Sequence, residues 1–416
     1  MNRHTLKRRG VVISEGLVVL LLLAPVALAV PAVPPVPPPA EAPTGFANQT
    51  NGTISQSQFD LDRAVFEERE EIADGLGPVY NAQACSECHQ NPVTGGNSQV
   101  TVLRAGRYNG RTYTDRPGGS LIQDRAIDPV LQERVGLLEN VQTFRASLNV
   151  LGDGYLEAIP DAAFDTIRSS QPATMKGTII RVPILEAPGT TRVGRFGWKN
   201  QHASLISFSS DAYLNEMGIT SPLQPAENTS NGQSVAAWDT VADPEDAATI
   251  TAPFGPDIES FARFMRATMA PARDPNLAQT PDARAGEQVF RQVGCAACHT
   301  QAITTAPAGT GFNGGTFIVP EALGNKVIHP FSDLMLHDVG TGDGIVQNGG
   351  AISRNMIRTP PLWGLRTRTR LMHDGATVTR LDAILRHDHE ARPVVQAFLH
   401  LPPPQRDQLL AFLASL

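Results

Sequence analysis

The chain has 416 residues, 41% of them apolar, and a formal charge of -7. That length is expected to divide into more than one domain, and an acidic balance gives no overall attraction to nucleic acid or anionic lipid. Nucleic-acid partners are therefore excluded on charge.

The amino terminus reads as an export signal. A basic head (Arg3, Lys7, Arg8, Arg9) precedes an apolar run from Gly16 to Val30, with Ala27 and Ala29 spaced for signal peptidase. The run is shorter than the roughly 20 residues a membrane span needs. A cleaved signal over residues 1–29 is thus expected, with no stable transmembrane span and a periplasmic destination. Its removal takes the formal charge to about -10. Residues 31–43 (PAVPPVPPPAEAP) predict an extended polyproline spacer. Residues 30–58 then read as a linker, and folded structure is expected from Phe59.

Cys85, Cys88 and His89 form the first Cys-x-x-Cys-His sequence, and Cys295, Cys298 and His299 the second; no other cysteine exists. This is the attachment pattern of c-type haem. Two intervening residues let the thiols reach the two vinyl groups of one porphyrin edge, and the adjacent histidine turns onto the iron as proximal ligand. Zinc pairs usually lie about 15 to 20 residues apart, whereas these are more than two hundred apart. An oxidising compartment would favour disulfides, but two covalent haems consume every thiol.

Between the motifs, turn signals dominate and strand patterns are weak. A helix-like run covers Asp161 to Ile167, and Ile258, Phe261, Met265 and Met269 share one face of another helix, ahead of a proline-marked linker at 271–281. Gly286, Val289, Phe290 and Val293 recur at i, i+3, i+4 and i+7 before Cys295, and Leu409, Phe412, Leu413 and Leu416 do the same after Pro404. A helix leading into the motif and a last helix crossing it, with glycine against an aromatic at the contact, closes a small haem domain. The expected fold is mainly α and loop-rich, with two cytochrome c-like domains, 59–270 and 271–416, each holding one covalent haem.

The segments GLGPVYNAQACSECH (75–89), YLEAIPD (155–161), GRFGWK (194–199), YLNEMGITSP (213–222), GCAACH (294–299), FSDLMLHDVG (331–340), RTPPLWG (358–364) and LMHDG (371–375) resemble the bacterial di-haem oxidoreductase family, often labelled thiol oxidoreductases and distantly related to di-haem cytochrome c peroxidases. The chain departs from its relatives at 175–193, where MKGTIIRVPILEAPGTTRV replaces a DGISGR-like segment. The resemblance implies one haem that stores or delivers electrons and one that meets an oxidant such as peroxide. Its alternatives are an electron carrier without catalysis and a di-haem enzyme that oxidises side chains of a partner protein. A small redox protein or another electron donor or acceptor is the implied partner.

The resemblance also carries site residues. In the related peroxidases a His-Asp-Gly segment precedes a short helix whose methionine binds the electron-donating haem; here His373-Asp374-Gly375 is followed by Thr379 as N-cap, and His387 falls at the methionine's place. His387 is therefore the expected distal ligand of the second haem, with His389 its nearest competitor. Arg358 is expected to neutralise a propionate, with Arg145 its counterpart in the first domain, and His337 and His373 match positions near the haem edge. For the first haem, His202 or Met217 or an open position is expected, with Glu157 as the acid that assists O–O cleavage. Trp198 or Trp238 lies between the haems or belongs to the core. Asp338 and Asp343 hold a calcium ion or form an ordinary surface loop.

Overall fold

The computed structural model describes residues 38–243 and 252–416, together with Met1 and Gly10. The expected signal peptide therefore lies almost wholly outside the described residues. Among the described residues no helix is long and apolar enough to cross a membrane. Helix accounts for about 34% of the structure and strand for about 16%.

Pro39–Leu416 forms one compact unit, which corrects the expectation of a linker as far as residue 58. Ala40–Glu41 pairs in parallel with Lys326–Val327, and the Asn51 side chain donates to the carbonyls of Arg266 and Thr268 at 2.9 and 3.0 Å. The chain is thus pinned well before Phe59, by backbone pairing that the proline-rich composition does not disclose. The helix Gln56–Glu67 follows, capped by Ser55, whose side chain accepts from Gln58 N.

Two aromatic-rich clusters form the core. In the first, Phe59 and Phe66 from Gln56–Glu67 meet Phe264 of the helix Pro256–Ala267, with ring centroids 5.3 and 4.8 Å apart. In the second, Phe290 of the helix Pro281–Val293 meets Phe412 of the terminal helix Pro403–Ser415 at 5.2 Å. The glycine contact expected there is present: a Cβ on Gly286 would lie 1.8 Å from the Gln408 carbonyl oxygen and 2.9 Å from Phe412 Cβ. Only a residue without a side chain lets these helices approach so closely. Chain order and core membership do not run in parallel, because Ile303, Ala306, Phe317, Val319, Leu323 and Ile328, all beyond the second motif, pack into the first cluster.

The four-stranded antiparallel sheet was not foreseen. Thr101–Tyr108 pairs with Val141–Ala146, Tyr113–Asp115 and Leu121–Ile122. Its central strand reads TVLRAGRY, and the arginines and glycine break the alternation that normally marks a half-buried strand. Alternate side chains Val102 and Arg104 face one cavity, as the two-residue period of a strand requires.

Candidate functional site

Each Cys-x-x-Cys-His sequence occupies a single tight turn. Cys85–Cys88 is one helical turn with His89 N donating to Cys85 O at 3.0 Å; Cys295–Ala297 is a 3₁₀ turn with His299 N donating to Cys295 O at 3.0 Å. Winding of this kind brings both thiols to one side and delivers the histidine directly after them. A phenylalanine edge flanks each imidazole, Phe66 at 6.3 Å from His89 and Phe290 at 6.2 Å from His299.

The two motifs open into separate cavities of about 1350 and 1330 Å³, mouths included. This separation rules out one zinc ion shared between the cysteine pairs. Burial pushes the Cys88 and Cys295 thiols up to about 12 and raises Cys85 and Cys298 as well. Thioredoxin-like chemistry needs the opposite shift, toward thiolate.

The cavity linings fit a porphyrin with anionic propionates. Buried donors without a protein partner include Arg104 Nε and His89 Nδ1 in the first cavity, Arg380 Nε and His373 Nδ1 in the second, and Arg358 Nε at both. Backbone groups of Gly96 and Leu148 still act on the His89 ring, which burial lowers to about 4. Arg368, on the second cavity, is lowered to about 10 by burial, and no carboxylate among the described residues pairs with it. Unsatisfied buried donors of this kind call for a bound acceptor.

The second cavity brings two imidazoles together. His299 and His387 have ring centroids 6.5 Å apart. Nδ1 of His299 lies 3.0 Å from Phe331 O and Nδ1 of His387 lies 2.7 Å from Ala383 O. A carbonyl only accepts, so both Nδ1 atoms carry the proton and both Nε2 atoms are left as lone-pair donors. His387 is delivered by the helix Arg380–Leu385, which the Thr379 side chain caps by accepting from Asp382 N at 3.0 Å. His389, the competitor, is exposed and bound to Asp338 at 2.8 Å.

Among the described residues the first cavity has no histidine besides His89 in its lining; Met217 and Met265 line it, as do the carboxyl groups Asp153, Asp211 and Glu216. His202 is outside that lining and pairs with Asp211 at 3.1 Å, which corrects its expected part as a ligand. Glu216 belongs to a π-helical turn, Tyr213–Met217, an irregularity common at functional sites. Burial raises its pKa and Asn81 Nδ2 holds it at 2.8 Å. Sequence reasoning passed over it. Its signal was there, an acid beside the candidate ligand Met217 in YLNEMGITSP.

Glu157 is corrected. It is fully buried and lines neither cavity. Arg266 meets it at 2.6 and 2.9 Å, and Leu205 N and Asn313 Nδ2 donate to it at 3.0 and 2.9 Å. Burial alone would raise its pKa, but Arg266, the Leu205 N–H and Arg192 together outweigh burial and lower it. A carboxylate so held has no proton to give and no path to a substrate.

The calcium expectation is corrected as well. Asp343 is buried between Arg145 at 2.6 Å and Lys199 at 2.8 Å, so two cations already occupy the carboxylate. The same pairing consumes Arg145, whose remaining Nη1 donates to Gln347 at 2.6 Å. His337 spends both ring nitrogens on Glu390 and Asp333, each at 2.8 Å, leaving none for a propionate. Trp198 and Arg358 line both cavities, whereas Trp238 packs beside Val79, Leu131 and Val235, away from both.

A family model described as "Di-haem oxidoreductase, putative peroxidase" matches residues 129–416. Among solved structures the chain is similar to hydrazine synthase of Kuenenia stuttgartiensis, with 14% identity, 95% of this chain and 100% of that chain covered, and a TM-score of 0.42. It is similar to a MauG-like protein associated with microbial copper homeostasis, with 16% identity, 94% and 95% covered, and a TM-score of 0.40. A third similarity is to the diheme peroxidase BthA of Burkholderia thailandensis, with 13% identity, 86% of each chain covered, and a TM-score of 0.40.

Proposed function

This chain belongs to the di-haem oxidoreductase family, and from that premise we propose that it is a periplasmic enzyme with two covalent haems c that reduces peroxide, or a related oxidant, at the first motif. Electrons arrive from a small redox protein through the second motif. Hydrogen peroxide takes two electrons and two protons to give two molecules of water. The observation that carries the reading is the inequality of the two cavities: His387 stands opposite His299, while among the described residues His89 is the only imidazole lining its own cavity.

A bound haem would supply one-electron redox chemistry and a place for the oxidant. The chain's own residues do the rest. His299 and His387 would hold the second haem through their Nε2 atoms, a ligand pair suited to electron transfer. Cys85, Cys88 and His89 would anchor the first, and Cys295 and Cys298 the second. Arg358, Arg368 and Arg380 would neutralise propionates. Glu216, its pKa raised by burial and its carboxyl oriented by Asn81, is the group suited to donate a proton to the leaving oxygen of peroxide. Trp198, its Nε1 fixed on Ala146 O at 2.8 Å, stands between the cavities where an electron has to pass.

Electron paramagnetic resonance and optical spectra of the oxidised and reduced protein, with and without carbon monoxide, test the proposal. One low-spin inert haem and one that binds carbon monoxide are expected, with Glu216→Gln slowing the peroxide reaction about 10²-fold or more. Two low-spin haems that ignore peroxide, dioxygen and carbon monoxide in every redox state would establish an electron carrier instead.

A further inference from the structure

Trp198 and Arg358 are the residues common to the linings of both cavities. Trp198 is neutral, and its single donor is already used. Arg358 is a cation on the wall between two redox sites.

Its position is rigidly set. The strand Ile357–Arg358 pairs with Leu336–His337, and Arg358 N donates to Trp198 O at 2.9 Å, so the two shared residues are tied together through the backbone. Thr359 N donates to Met335 O at 2.9 Å, and Pro360 and Pro361 follow, stiffening the chain on the far side. The side chain is 4% exposed, and Nη1 donates to the Arg195 carbonyl at 2.7 Å while Nε has no partner.

Other arginines nearby differ in kind. Arg145 is spent on Asp343 and Gln347, and Arg195 on Asp161 and main-chain carbonyls. Arg104 lines only the first cavity, while Arg368 and Arg380 line only the second. Among the described residues no carboxylate forms an ion pair with Arg358. Asp153, the opposite charge that acts on it, lines the first cavity alone.

We infer that Arg358 is a positioning residue shared by the two haem sites, and that its one guanidinium sets the reduction potentials of both together. This rests on the two-haem reading above. A charge inside a protein acts over a longer range than one in water, and a cation favours whichever form of a neighbouring centre carries the extra electron. Being common to both walls, Arg358 raises both potentials.

The test is a spectroelectrochemical titration of the intact protein loaded with both haems, each followed at its own absorption. In Arg358→Gln both midpoints should fall, each by about tenfold in the reduction equilibrium, which is about 59 mV for one electron. The paired variant Arg368→Gln with Arg380→Gln should lower the second haem alone, and Asp153→Asn should raise the first alone. Arg358→Met removes the same charge if the glutamine variant does not fold. Arg358→Lys keeps the charge without the fork and should hold both midpoints within about threefold of the parent. A folded Gln or Met variant that shifts one haem or neither, or a folded lysine variant with a large shift at either, would overturn the inference. A protein that takes up no haem at the two motifs would refute the reading beneath it; two bound haems indifferent to Arg358 refute only this step.

Discussion

His387→Met should raise the midpoint potential of the second haem and leave the first in place. The magnitude begins with geometry. Metal–imidazole bonds of about 2.0–2.1 Å, the length known for zinc, plus roughly 1.1 Å from each ligating nitrogen to its ring centre, put two imidazoles about 6.2–6.4 Å apart across one metal. His299 and His387 are 6.5 Å apart. Burial lowers both pKa values, that of His299 to about 4, so both rings are in the neutral form that binds metal. Haem potentials span about 0.8 V according to axial ligand, and a thioether sits on the high side of imidazole. A rise on the order of 100 mV is expected, roughly fiftyfold in the reduction equilibrium at about 59 mV per tenfold. Spectroelectrochemistry gives the midpoint, and low-temperature electron paramagnetic resonance gives the ligand field. If the substitution leaves both the low-spin signal and the potential unchanged, the geometric argument is wrong and another residue binds the iron.

Glu157→Gln should cost about 3–5 kcal/mol of stability by leaving Arg266 buried without its counter-ion, while peroxide turnover per bound haem stays at the parent value; a slowed turnover in a fully stable variant would restore Glu157 to the chemistry. Gly286→Ala, which forces a methyl to within 1.8 Å of the Gln408 carbonyl oxygen, should cost about 1–3 kcal/mol through overpacking, and an unshifted denaturation midpoint would mean that the helices part more easily than their contact implies. Burial raises Glu70 to about 7, against the opposing hydrogen bond from Tyr213. A raised folded pKa means that the stability tied to its protonated form is complete below about 4.5 and is lost as pH rises through about 7. The melting temperature should therefore decline over that interval and Glu70→Gln should flatten the decline, whereas an identical profile in the variant would contradict it.

What was legible in the sequence was chemistry written in short spacings. The Cys-x-x-Cys-His motifs, the separate apolar stripes of the helices that carry Gly286 and Phe412, and the capped helix preceding His387 each depend on residues within one or two turns of each other. Local hydrogen bonds such as Thr379 with Asp382 make such patterns self-sufficient, so a reader needs no tertiary contact to find them. The four-stranded sheet was illegible for the converse reason. Its central strand owes its conformation to a partner about forty residues on, and its Arg104 faces a cavity where a regular pattern would put an apolar side chain.

The same distinction explains why Glu157 misled and Glu216 was overlooked. An acid in a family-like segment has the right identity for proton transfer, but its protonation state is decided by neighbours distant in the chain. Arg266 is 109 residues from Glu157 and Asn313 is 156 away, and those partners turn the carboxyl into a permanently charged strut. Glu216 meets Asn81, 135 residues earlier, and that uncharged amide lowers its pKa by less than burial raises it. Asp343 follows Glu157: with Arg145 and Lys199 on its two oxygens it has the charge balance of a structural tie and none left for a cation. Carboxyl function in this fold is thus set by whether the long-range partner is a guanidinium or an amide, and only the folded chain brings that partner into view.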